Sequence, residues 1–261
     1  MAVKDMGASV LSRLKKQAKQ TKMNYQTCLQ LFVQEEFLRR LEVSGYVNNF
    51  VLKGGMFLYT ISKYEGRPTM DIDFMLKRIS NDIEELKEIV AKICEADTHN
   101  DYIEMKVTGA KNITPEKKYP GVSINMMAYI KNVRIPFSVD IGVDDVIIPG
   151  MVMRTVPTRL DGFKEPCVYT YSLESAMAEK FEAILKRMTA TSRMKDFYDL
   201  FYWSKMFDFD GRVLLEAIFE TLQHRGTPYE INSLKKIREF DQNKFLCKLW
   251  NNYNPGPMIE K

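Results

Sequence analysis

The chain has 261 residues, 45% of them hydrophobic and 28% charged, with a formal net charge of +4; this is enough apolar material for one large domain or two small ones and excludes disorder. No run approaches the roughly 18 consecutive apolar residues that span a bilayer, and the opening MAVKDMGASVLSRLKKQAKQ lacks the uncharged core and cleavage site of a secretory signal, so a soluble, cytoplasmic protein with no membrane partner is expected. Cys28, Cys94, Cys167 and Cys247 are scattered without a CxxC pair, and only His99 and His224 accompany them, which indicates neither a zinc site nor a disulfide framework.

From Ser9 to Gly45 the apolar residues fall at helical spacing, in two helices separated near Thr21 to Asn24. Basic residues gather from Arg13 to Lys22, Arg187 to Lys195 and Lys235 to Arg238, each cluster being either a solvated helix face or a set of phosphate contacts. Phe50 to Lys53 reads as a short strand ending at Gly54–Gly55, with a helix starting at Met56 and running to Ser62. Pro68 breaks the chain before a strand at Met70 to Leu76. Asn81 to Ala96 is an amphipathic helix with an acidic first turn, as the helix dipole favours. Ile103 to Thr108, Val122 to Ile130 and Arg134 to Ile141 alternate as strands, the last two joined by a hairpin at Lys131–Asn132. Helices follow over Ser172 to Met188, Arg193 to Lys205 and Gly211 to Leu222, with shorter pieces up to Trp250. The pattern predicts an α+β protein: N-terminal helices over 1–48 packing on a mixed-sheet core over 49–165, then a helical subdomain over 166–261, with a cleft between the αβ and helical halves.

Within the core segment, Asp71 and Asp73 alternate on one strand, so both carboxylates project from the same face. At 4 Å, two such charges repel by about 4 kcal/mol with an effective dielectric near 20, a cost that a bound divalent cation removes. Oxygen ligands suit Mg²⁺ or Mn²⁺, with the remaining positions filled by water and substrate phosphate. The preceding glycines let backbone N–H groups and a helix N-terminus approach a triphosphate, because no Cβ intervenes. Asp140, at the far end of a later strand, brings a third carboxylate toward the sheet, so that Asp71, Asp73 and Asp140 can together hold one or two Mg²⁺ ions. A glycine pair alone is usually a tight turn and a lone DxD a solvent face; the ordered set is what a nucleotidyltransferase needs.

The segments LKGGMFLY, RPTMDIDF, YPGVSINMMAYIKNVRIPFSVDIGVDD, AEKFEAIL, SRMKDFYDLFYW and HRGTP together resemble the AbiEii/AbiGii nucleotidyltransferase-like toxins. These are the toxin halves of type IV toxin–antitoxin and phage-abortive-infection systems and are related to the MenT toxins. The resemblance runs from about Ser9 to Pro228. It implies a nucleotidyltransferase-like fold whose first motif falls on Gly54, Gly55, Asp71 and Asp73; more divergent nucleotidyltransferases carry Gly-Ser at the pair, so here backbone amides replace a serine hydroxyl. It places the third carboxylate at Asp140, a helical lysine at Lys180, and a basic-Asp-x-x-Asp helix at Arg193, Lys195, Asp196 and Asp199. Read from the residues themselves, Arg193, Asp196 and Asp199 share one helical face while Phe197, Leu200 and Phe201 point toward a core. Asp196 is either part of the site or a structural link to Lys195 or Lys180. Lys180 suits a triphosphate contact, and Asp199 either positions that lysine or acts as a base toward the acceptor hydroxyl. Lys53, Arg67 and Thr69 flank the carboxylates within reach of phosphate, although Arg67 also suits bracing the turn before Pro68.

The expectation is a metal-dependent, pyrophosphate-releasing nucleotidyltransferase that moves a nucleotide from an NTP to an acceptor. The resemblance implies the 3′ end of tRNA as that acceptor, which arrests translation, and an antitoxin encoded nearby that need not bind the toxin. A protein hydroxyl as acceptor and a non-catalytic nucleotide-binding module are the competing readings. A glycosyltransferase is disfavoured, because no long alternating βαβ series precedes the DxD.

Overall fold

The computed structural model describes residues 5–64, 68–113, 120–143 and 145–253. The N-terminal helix α1 (Met6–Thr21) is capped by Asp5, whose carboxylate accepts from the Ala8 N–H at 2.9 Å. It buries Gly7, Val10, Leu14 and Ala18, one face at helical spacing. Helix α2 (Tyr25–Val43) starts at the Asn24 cap and is buried on all sides from Cys28 to Leu41, including Glu35, Glu36, Arg39 and Arg40. Such charges are tolerated inside only when paired. Glu36 accepts from Arg39 Nε at 2.7 Å, Arg40 Nε at 3.2 Å, Thr98 Oγ1 at 2.5 Å and Asn100 Nδ2 at 2.8 Å. Arg40 also donates to the carbonyls of Cys94 and Ile103, so α2 fixes the segment that leads into the third strand.

The sheet is built from β1 (Phe50–Lys53), β2 (Asp71–Leu76), β3 (Ile103–Ile113), β4 (Gly121–Ile130), β5 (Val133–Gly142), β6 (Val152–Thr155) and β7 (Cys167–Thr170), in the order β3-β4-β5-β2-β1-β7-β6. The β2–β5 and β1–β7 pairs are parallel and the others antiparallel. Helix α3 (Gly54–Ile61) follows β1 directly, and α4 (Ile83–Glu95) follows β2. Asp82 caps α4, its carboxylate accepting from the Glu84 and Glu85 N–H groups at 3.0 Å. Leu52, Ile72, Phe74, Val122, Ile124, Val139 and Ile141 are all buried and share the apolar face. There the Phe37 ring of α2 packs 6.1 Å from Phe74 and 6.3 Å from Phe137. Each such fully buried side chain contributes roughly 1.5–3 kcal/mol, which fixes the register and commits the alternate residues of β2 and β5 to the opposite face.

Three features differ from the sequence expectation. Helix α3 begins at Gly54 rather than Met56, because the glycine pair itself makes the first turn. Strand β3 continues to Ile113 instead of stopping at Thr108, where the register shifts between Val107 and Gly109 and breaks the alternation. Strands β6 and β7 are four residues each, too short to show a period.

Of the described residues, those within 1–144 and 152–170 form one compact unit that contains the whole sheet, and 145–151 with 171–253 form a second. The second unit is helical: α5 (Leu173–Arg187), α6 (Met194–Met206), α7 (Gly211–His224), α8 (Ile231–Arg238) and α9 (Lys244–Asn252). Ser172, Asp210 and Asn243 cap α5, α7 and α9. Ile184, Met194, Phe240 and Leu246 form a buried cluster, with Phe197, Leu200, Trp250 and Tyr253 packed against it.

Candidate active site

The register brings three carboxylates together on the polar face of the sheet. Lys53 pairs with Asp73 and Asp73 with Asp140, while Asp71 pairs with Ser138. Directly paired residues point the same way, so Lys53, Asp71, Asp73 and Asp140 share one face, with Asp71 exposed and the other three half-buried. Gln34 of α2 donates to the Met70 carbonyl at 2.8 Å, which fixes the start of β2, and Ser138 Oγ donates to Asp71 Oδ1 at 2.9 Å. Ser123 Oγ donates to Asp140 Oδ1 at 2.6 Å. Burial raises the Asp140 pKa above the ordinary carboxylate value against that hydrogen bond, and the charge of Asp71 raises it further.

The glycine pair is sterically required. Gly54 has φ +64°, and a Cβ built there falls 2.1 Å from Asp73 Oδ2. A Cβ on Gly55 falls 2.6 Å from Thr69 Oγ1. Thr69 is buried, and its hydroxyl lies 3.5 Å from the Asp71 carbonyl. The Lys53 side chain extends toward Gly142, 3.8 Å separating Nζ from the place a Cβ would take. Lys53, Gly54, Gly55, Thr69, Asp71, Asp73 and Asp140 thus belong to one neighbourhood; Arg67 lies outside the described residues. Ser123, Ser138 and Gln34 are neighbours that the sequence pattern did not single out, because a serine or glutamine in a strand or helix carries no spacing signal.

In the helical unit, Lys180 Nζ lies 3.1 Å from Asp196 Oδ1 and 2.7 Å from Asp199 Oδ2, over the Trp203 ring at 5.3 Å. Arg193 Nε reaches Asp196 Oδ2 at 2.5 Å. Burial raises the Asp196 pKa, but the charges of Lys180 and Arg193 and their hydrogen bonds outweigh it and hold the carboxyl below its ordinary range. Asp196 is therefore linked to Lys180 and Arg193, and α5 and α6 present a lysine held by two buried carboxylates. A second cluster surrounds Arg225, which bonds Asp145 Oδ1 at 2.7 Å, Glu179 Oε1 at 3.0 Å and Glu182 Oε2 at 3.0 Å, with Thr227 Oγ1 on Glu182 Oε1 at 2.5 Å. This gives HRGTP a role: it ties the 145–151 segment and the end of α7 to α5.

The carboxylate set fits a hard divalent cation in its donor chemistry: oxygen ligands only, two of them alternating on one strand, beside a glycine cradle. Among the described residues, no three His, Cys, Asp or Glu side chains form a group that holds a metal unaided.

The family model described as nucleotidyl transferase AbiEii toxin, type IV TA system, matches residues 36–258. The chain belongs to the AbiEii family. No curated protein matches the sequence. Among solved structures, this AbiEii-family chain is similar in fold to MenT4, a nucleotidyltransferase toxin from Mycobacterium tuberculosis, with TM-score 0.52 and 20% identity over 74% of this chain. The chain spans 63% of that toxin's length. JHP933 from Helicobacter pylori matches with TM-score 0.47 and 13% identity over 85% of this chain and 78% of that one. Among the described residues, no helix of the AbiEii-family chain is long and apolar enough to cross a membrane.

Proposed function

We propose that the protein transfers a nucleoside monophosphate from an NTP to an RNA hydroxyl, the 3′ end of tRNA, and thereby blocks translation in the cytoplasm until its antitoxin counteracts it without having to bind it. The observation that carries this reading is the alternation of Asp71 and Asp73 against the Gly54–Gly55 turn on one sheet face. In the transfer, the acceptor oxygen forms a new bond to the α-phosphorus, the α–β phosphoanhydride breaks and pyrophosphate leaves. We assign the hydroxyl proton to the Asp140 carboxylate, which pairs with Asp73 on the same sheet face.

Asp71 and Asp73 are the residues that would hold Mg²⁺ or Mn²⁺, with Asp140 beside them. Bound there, the cation supplies charge neutralisation at the phosphates and acidifies the attacking hydroxyl. Gly54 and Gly55 admit the phosphates to backbone N–H groups at the start of α3, an eight-residue helix, and Lys53 and Thr69 border that cradle. Lys180 is assigned to phosphate charge, its ammonium held in place by Asp196 and Asp199. Arg193 supports that arrangement through Asp196. The chemistry rests on positioning and charge, as phosphate transfer generally does.

The decisive experiment incubates purified protein with total tRNA, Mg²⁺ and each α-³²P-NTP in turn and resolves the products on a denaturing gel. Label on tRNA is expected, falling by about 10²-fold or more in Asp73→Ala and Lys180→Ala, with thermal melts confirming that each variant folds. Label on protein instead of RNA overturns the acceptor, and no label with any NTP overturns the transferase reading.

A further inference from the structure

The line of polar residues that contains Asp73 and Asp140 continues past β5. Ser123 of β4 pairs with Asp140, and Lys111 of β3 pairs with Ser123. Lys53, Asp73, Asp140, Ser123 and Lys111 therefore stand in one row across five strands, all on the same face. The neighbouring row runs Asp71, Ser138, Asn125, Gly109. Lys111 and Asn125 are exposed.

A β-bulge puts Lys111 there. Glu104 and Lys106 are exposed on this face before the register shift, and Gly109 and Lys111 lie on it after the shift. Thr108 is the extra residue, and its Oγ1 donates to the Asn125 carbonyl at 3.1 Å, fastening the bulge. Without it, strict alternation would turn Lys111 to the side of Val122 and Ile124, which are buried, and an ammonium has no place there. Bulges re-aim side chains beside functional sites in this way.

The site also has a direction. Gly54, Gly55 and Lys53 lie on the β1 side of the carboxylates, and β4 and β3 lie on the other. In an in-line displacement the attacking and leaving oxygens occupy opposite sides of the phosphorus. With the pyrophosphate held at the glycine cradle, the acceptor approaches over β5, β4 and β3. Lys111 stands two strand spacings from Asp140, about 10 Å between backbones, where a lysine meets the strand that carries the attacking hydroxyl rather than the NTP. We propose that Lys111 and Asn125 form the acceptor subsite: Lys111 binds a backbone phosphate of the incoming RNA, and Asn125 hydrogen-bonds its terminal sugar or base. This rests on the RNA-transfer reading above, since a protein acceptor brings no phosphate for Lys111.

The test is steady-state transfer from an α-³²P-NTP to a CCA-ended RNA hairpin by the wild type, Lys111→Glu, Lys111→Ala and Asn125→Ala. Lys92→Glu, on the exposed face of α4, serves as a matched charge control, and melts confirm folding. Lys111→Glu is expected to raise KM for the hairpin by about tenfold or more, with Lys111→Ala smaller in the same direction and KM for the NTP unchanged. The slope of log KM for RNA against log salt falls by about 1 in the Lys111 variants. Asn125→Ala raises KM for RNA without changing that slope. If the wild type labels the hairpin but the Lys111 variants keep its KM, shift KM for the NTP, or match Lys92→Glu, the subsite is overturned while the transferase reading stands. If the wild type labels no RNA, the acceptor assignment fails and the subsite falls with it.

Discussion

At Gly54 a single missing Cβ satisfies two conditions, a left-handed φ of +64° and the close approach of Asp73 Oδ2. An alanine there meets both penalties: about 1–2 kcal/mol for the backbone conformation, and displacement of a carboxylate assigned to the metal. Gly54→Ala is expected to lower the transfer rate by about 10²-fold, the scale of an ångström-level misplacement, measured beside a thermal melt that shows only modest loss. Gly55 is different. Its φ is not left-handed, but Thr69 Oγ1 and Cβ lie 2.6 and 2.8 Å from the position a Cβ would take. A serine side chain at this position would meet the Thr69 hydroxyl. Gly55→Ser alone is therefore expected to inactivate, and Gly55→Ser with Thr69→Gly to recover activity, as read in the same transfer assay. No recovery in a folded double variant removes this account of the glycine.

At the scale of elements, α5 is held on two sides by opposite charges, Glu179 and Glu182 by Arg225 and Lys180 by Asp196 and Asp199. Arg225→Ala leaves Asp145, Glu179 and Glu182 facing one another without the guanidinium, and the cost of breaking a buried charge pair is about 3–5 kcal/mol. A lower denaturation midpoint is expected, with Arg225→Lys in between, because lysine keeps the charge but not the fork that serves three carboxylates. The sequence shows the elements whose period survives to their ends: β1, β2, the β4–β5 hairpin and the long helices are all legible. The same holds for the carboxylate pair, whose face follows from alternation alone. Lys111 was hidden, because the Thr108 bulge breaks the period at the point where the residue becomes informative. The charges of α2 were hidden for another reason: Glu35, Glu36, Arg39 and Arg40 look like a solvent face until their partners on distant segments are known. Sequence spacing reports what a residue shares a face with, not what that face meets.

At the scale of the whole molecule, Glu35 and Asp196 give stability two opposed pH limbs. Glu35 is fully buried in α2 beside Arg159, whose N–H donates to Oε2 at 3.2 Å. Burial pushes its carboxyl from 4.5 up to about 7, against the charges of Arg39 and Arg159. A raised carboxyl pKa means that folding favours the protonated form, so this contribution is complete below about pH 4.5 and is lost as pH rises through about 7. The loss amounts to about 3 kcal/mol from a shift of this size. Asp196 has the opposite sign: its lowered pKa gives stability that is present above 3.8 and lost as pH falls below it. Self-repulsion cannot produce the upper limb, because the net charge at pH 7 is +4 and raising the pH removes positive charge. Melting temperature is therefore expected to fall between about pH 5 and pH 8 and again on acidification below about pH 4. Glu35→Gln, which keeps the shape without the ionisation, flattens the upper limb alone, and Asp196→Asn flattens the acid limb while lowering stability at neutral pH. An unchanged upper limb in a folded Glu35→Gln protein assigns that titration to another group.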